Sequence, residues 1–160
     1  MVRRPSRTVL ALAATFAVAA GLAGAAWFGT DRAQGRERAG SEALAAASAA
    51  TPAIFSYDYR GFDASVANGK VFVTGDFAKE YADTTASLKA AAVKEQAIVR
   101  AEVSAAGVVQ ASATQVEVLL YVNQYRRNVN VTGEKVDQNR VVLTLVSAGG
   151  QWKVSHALAI

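Results

Sequence analysis

Between Thr8 and Gly29 the chain carries 22 residues without a single charge. At about 1.5 Å of rise per residue, a helix of that length spans about 33 Å, enough to cross a hydrocarbon core. The run holds nine Ala, three Gly and only three Leu, a weak composition for a transmembrane helix. Ala23-Gly24-Ala25 also fits the small-x-small cleavage pattern, so a removed signal peptide is the competing reading. Signal-peptide apolar regions usually run to about 7–15 residues, and the greater length here favours an uncleaved anchor. Arg3, Arg4 and Arg7 precede the run, and Arg32, Arg36 and Arg38 follow it. The first three lie closer to it and the amino terminus adds a charge. The expected topology is therefore a single pass through the cell membrane, N-terminus cytoplasmic and the bulk of the chain extracytoplasmic.

The net charge of +4 belongs mostly to that N-terminal tip. Three of the 17 basic residues lie before the apolar run and all 13 acidic residues after it, which leaves 14 − 13 = +1 downstream. A nucleic-acid-binding domain needs its basic residues clustered on the folded part, so nucleic acid is excluded as a partner. The chain has no cysteine, which excludes disulfides, thiolate zinc sites, iron–sulfur clusters and a cysteine nucleophile.

The remaining residues suffice for one core. The expected organisation is a cytoplasmic tip (1–7), a transmembrane helix (8–29), a juxtamembrane helix or linker (30–51) and a folded domain (52–160). Leu44, Ala47, Thr51, Ile54 and Phe55 fall near one face of a helix built from Ala, Glu, Arg and Leu. Pro52 should kink that helix or start a second one with Thr51 as its cap. The segment 64–72 is ambiguous. Asp63 is placed to cap a short helix there, while Asn68-Gly69 between two apolar triplets fits a tight hairpin, towards which the pattern leans. Asp76 is expected to cap a helix over residues 77–96.

The C-terminal half alternates with period two. Strands are expected over 98–112, 115–126, 140–147 and 151–159, with a bend or bulge at Gly107 and a turn at Ala148-Gly149-Gly150. On the last strand Trp152, Val154, His156 and Leu158 should share a face. Helices followed by four strands with short connections argue an α+β fold, with helices packed on one face of a curved four-stranded antiparallel sheet. Such a sheet over helices makes a cone with a pocket at its open end.

Candidate chemistry is sparse. His156 is the only histidine and has no carboxylate at ligand spacing, so no metal site is expected. Tyr57-Asp58-Tyr59-Arg60 with Asp63 is the densest polar cluster. An acid–base enzyme would use an Asp there as base and a Tyr as oxyanion donor; the plainer reading is a cap, an ion pair and two tyrosines covering the core edge. No catalytic residue, cofactor or metal is assigned. Candidate partner contacts are Asn123 and Gln124 at the end of an apolar strand, Arg32 and Arg36 on the charged segment leaving the membrane, and Ala17, Gly21 and Ala25. These last three form part of a stripe of small residues at every fourth position, which lets a second membrane helix approach closely; an Ala-rich run also produces such a stripe by composition.

Five stretches resemble the Mce-associated membrane proteins, small anchored partners of mammalian-cell-entry lipid importers. They are Ile54-Phe55-Ser56-Tyr57-Asp58-Tyr59-Arg60, then Thr74-Gly75-Asp76-Phe77 with Tyr81, then Ala105-Ala106-Gly107-Val108-Val109, then Tyr121-Val122-Asn123-Gln124, and finally Arg140 to Val146 running to Gln151-Trp152-Lys153-Val154-Ser155. The resemblance implies a cystatin/NTF2-like cone, a helix rather than a hairpin at 64–71, and a non-enzymatic accessory role. The accessory protein would stabilise or help assemble an Mce-type lipid transporter from its subunits. A cone that binds a small molecule or lipid, or an acid–base enzyme of the same fold, is the alternative.

Overall fold

The computed structural model describes residues 32–160; the predicted transmembrane helix, with Ala17, Gly21 and Ala25, lies outside the described residues. Helix α1 covers residues 32–55, of which 37–55 belong to the compact unit Glu37–Ile160. Ala39, Ala43, Ala47, Ala50 and Ile54 recur at intervals of three and four and are buried, so the stretch expected as a juxtamembrane helix or linker is a helix that supplies one wall of the core. Their small side chains let the helix lie close to its neighbours. The helix does not break at Pro52. Thr51 is fully buried and caps nothing new: its Oγ1 donates to the Ala47 carbonyl at 2.8 Å.

A two-residue strand follows, β1 (Tyr57–Asp58), and then a single 3₁₀ turn at Tyr59–Gly61, capped by the Asp58 carboxylate, which accepts from the Arg60 N–H at 2.9 Å. Helix α2 (Phe62–Lys70) occupies the ambiguous segment, so the hairpin towards which the pattern leaned does not form. Gly69 is there for space. A Cβ at that position would run into the Tyr81 hydroxyl and lie 2.8 Å from the Ala53 carbonyl oxygen. The glycine that resembled a turn signal is the point where three helices meet. Helix α3 (Gly75–Glu95) starts one residue ahead of Asp76. Thr74 is its N-cap, Asp76 sits in its first turn, and Gln96 ends it in the left-handed conformation.

The rest is an antiparallel meander: β2 (Ile98–Ala111), β3 (Gln115–Arg127), β4 (Lys135–Ala148) and β5 (Gln151–Ala159). With β1 paired to the start of β2, the sheet has five strands in chain order rather than the expected four. β1 escapes period-two reading because two residues carry no alternation. Register shifts leave Ser104 and Val109 as extra residues in β2, on either side of Gly107. Bulges of this kind sharpen twist and bend a strand, and they curve the sheet over the helices.

Val116, Val118, Leu120, Leu143, Leu145 and Val154 have no exposed surface. They form the sheet's contribution to the core, with α1, α2 and α3 against them. A further register shift opposite Thr144 and Leu145 makes Ser155 an extra residue in β5. Trp152, Val154 and Ala157 therefore pack on the core, while His156 and Leu158 are exposed. The expectation that all four even-numbered residues share a face fails at that bulge. The segment before α3 is stitched to β5: Thr74 N–H donates to the Val154 carbonyl, and Val154 N–H to that of Phe72, at 2.9 and 2.8 Å.

Candidate functional site

Where the helices diverge from the sheet they leave a cavity of about 380 Å³. Its depth is apolar: Ile54 and Phe55 from the end of α1, Phe62 and Val66 from α2, Phe77, Tyr81 and Leu88 from α3, and Val99 from β2. Tyr57 adds a wall, its ring edge-on to Phe62 at 5.4 Å between centroids. The mouth is polar. Gln124 and Arg126 come from β3, Asp137 from β4, and Glu80, Thr84 and Thr85 from α3.

The mouth residues are ordered among themselves. Arg126 faces Asp137 at 3.3 Å. Gln124 Oε1 accepts a hydrogen bond from Asn139 Nδ2 at 3.0 Å, which turns the Gln124 NH₂ group away from that neighbour as a free donor. The Thr85 hydroxyl donates to the Tyr81 carbonyl at 2.7 Å. Burial pushes the Tyr57 phenol above its usual pKa; nearby Arg126 works against that shift and Glu95 adds to it. Burial also raises Tyr81. Both are neutral hydroxyls at physiological pH, able to donate and to accept.

The predicted polar cluster is dispersed. Asp58 is engaged by Arg60, whose Nε donates to both carboxylate oxygens at 3.0 and 3.1 Å. That hydrogen bonding holds Asp58 below the usual carboxylate range. Asp63 accepts from Lys89 Nζ at 2.7 Å across the outside of α2 and α3. Neither carboxylate lines the cavity, so the acid–base arrangement considered for this segment is not assembled. Only Tyr57 of the cluster reaches the site.

Asn123 and Gln124, adjacent in sequence, part company in the fold. Strand alternation sends Gln124 to the cavity mouth, while Asn123 lies beside Tyr121 and Arg140 in a shallow hollow of the outer face. Arg32 and Arg36 are exposed, the Arg36 Nε donating to the Arg32 carbonyl at 3.3 Å. His156 is exposed opposite Thr144. Among the described residues no three His, Asp or Glu side chains are grouped to hold a metal ion.

Arg126 and Asp137 escape sequence reasoning because β4 begins at Lys135, five residues before the strand expected there. Residues 135–139 are exposed and largely polar, so alternation does not mark them. The β3–β4 register, with Gln124 opposite Asp137, brings the mouth together.

No family profile matches the chain, and no curated protein matches it. Solved structures share its fold. An IcmL-like type IV secretion system protein from Legionella pneumophila is 18% identical with a TM-score of 0.61, over 73% of this chain and 88% of that one. CagV, a VirB8 homologue of the type IV secretion system of Helicobacter pylori, is 10% identical with a TM-score of 0.60, over 74% and 96%. The periplasmic domain of DotI is 15% identical with a TM-score of 0.56, over 73% and 91%. The likeness establishes the architecture: an NTF2-like α+β fold, helices packed on one face of an antiparallel sheet.

Proposed function

We propose that this chain is a non-catalytic accessory subunit of an envelope transport complex, tethered to the cell membrane by its N-terminal segment with the NTF2-like domain outside. The observation that carries the reading is the uncovered face of the sheet. There Leu119, Val142 and Leu158 stand in one cross-strand row, next to Tyr121, Arg140 and the chain end at Ile160. Tyr121, Leu158 and Ile160 are each about half exposed, at 47%, 53% and 59%. Leu119 and Val142 are half-buried in that row, and Tyr121, Leu158 and Ile160 give it an exposed apolar edge that a partner could cover. Asn123 lies on this face and Gln124 does not, so Asn123 is the one of the pair retained as a partner contact.

The five stretches that resemble the Mce-associated membrane proteins favour a lipid importer as the complex, with this subunit stabilising its assembly. The extracytoplasmic placement agrees with the periplasmic domain of DotI having the same fold. That fold likeness also favours a second reading, in which the complex is a secretion machine. Affinity purification of the tagged full-length chain in mild detergent separates them. Recovery of permease and substrate-binding subunits of an importer is the expected result. Recovery of secretion-channel subunits supports the second reading, and recovery of neither removes both.

A further inference from the structure

The cavity at the cone's mouth lies apart from the outer sheet face. Here 380 Å³ stays open, within the size range of small-ligand pockets and near its lower end. The deep walls are aromatic and aliphatic, with Phe55, Phe77, Tyr81 and Leu88 among them. The polar groups on those walls are few: the Tyr81 hydroxyl, and that of Ser56, which already accepts from the Ala101 N–H at 2.9 Å, so the buried part of an occupant is mostly hydrocarbon.

The mouth decides the head group by charge. Its ionised groups are Arg126 and Asp137, paired on the sheet side, and Glu80 on α3, a sum of −1. An anionic head would meet two carboxylates, and Arg126 is already engaged by Asp137 at 3.3 Å. A cationic head would meet the guanidinium. A neutral hydroxyl meets donors and acceptors alike: the Gln124 NH₂, the Tyr57 phenol and the Thr84 hydroxyl can each complement it.

We infer that the cavity binds a neutral single-chain amphiphile, its hydrocarbon chain between α2, α3 and the sheet and a hydroxyl-bearing head among Gln124, Tyr57 and Thr84. A two-chain lipid exceeds the volume. The inference does not depend on which complex the chain joins, since the cavity opens on a different side of the sheet from the Leu119–Leu158 row.

The test uses the full-length chain in lipid nanodiscs with three photoactivatable probes of equal chain length: a monoacylglycerol, a fatty acid and an alkyl amine. The expected result is labelling of α3 and the end of α1 by the monoacylglycerol, about tenfold over the charged probes, the scale set by one unfavourable charge near the head. Thr84→Trp fills the mouth from an exposed helix position and should abolish most of that labelling with the circular dichroism unchanged. Glu80→Lys changes the mouth sum from −1 to +1 and should bring the fatty-acid probe in. Equal labelling by all three probes would overturn the inference. So would labelling confined to the outer sheet face, or labelling that survives Thr84→Trp in a folded protein. If Thr84→Trp disturbs the fold, the Glu80→Lys switch decides alone: unchanged head preference overturns the inference.

Discussion

Strand β3 serves two surfaces with alternate residues, and the two could hardly differ more. Val116, Val118, Leu120 and Val122 point to the helices and are buried, three of them completely. Glu117, Leu119, Tyr121, Asn123 and Tyr125 point away and keep contact with solvent. The inner face is apolar because folding requires it. The outer face has no such requirement, yet it carries Leu119 in register with Val142 and Leu158. Apolar residues that the core does not use are available to a partner, and that separation of duties is the basis for reading the domain as an accessory subunit.

The comparison breaks most readily at the core. Leu120→Ala should cost about 2–5 kcal/mol in urea unfolding, through lost burial and a cavity, whereas Leu119→Ala on the opposite face should cost under about 1 kcal/mol, as surface changes do. Similar losses at both positions would mean that the outer face is part of the core after all. Gly69→Ala comes next. Its methyl has no room against Tyr81 and Ala53, and overpacking of this kind costs about 1–3 kcal/mol. A neutral result would show that Tyr81 gives way and that space is not the reason for glycine at this helix position.

Much of this was legible in the sequence. The period-two runs in β2, β3 and β5 mark the sheet, and helix-before-strand order gives the α+β class. The failures have local physical causes. Asn68-Gly69 carries a turn signal, but the space that Tyr81 requires outweighs it. Ser155 is a single extra residue, and one residue of slip moves His156 and Leu158 to the other face. The site was less legible than the fold. Gln124 and Tyr57 each stand out, but their companions Arg126, Asp137 and Tyr81 come from three elements and all five meet only through register and helix packing.

Smaller effects follow from titration. Tyr57 and Tyr81 have raised pKa values in the fold. Their contribution is complete below the unfolded tyrosine value of about 10 and disappears as pH rises through the folded values. Urea midpoints should therefore fall as pH rises above about 10, and fall less in Tyr57→Phe and Tyr81→Phe. Asp58 is the opposite case. Arg60 depresses its pKa, so its contribution is complete above the unfolded carboxylate range and lost as pH falls through the folded value. Asp58→Asn should remove only that acidic component. Because the pair lies at the surface and salt screens it, this is the smallest change expected.

The central claim is that the outer face of the sheet meets the partner. In-cell photo-crosslinking tests it directly, with a benzophenone amino acid placed at Leu158 on that face and, separately, at Asp83 on the exposed side of α3. The account predicts a discrete adduct from position 158 that contains a subunit of a membrane transport complex, and none from position 83. Adducts from position 83 alone, or no adduct from position 158 in a folded and membrane-localised protein, would contradict it.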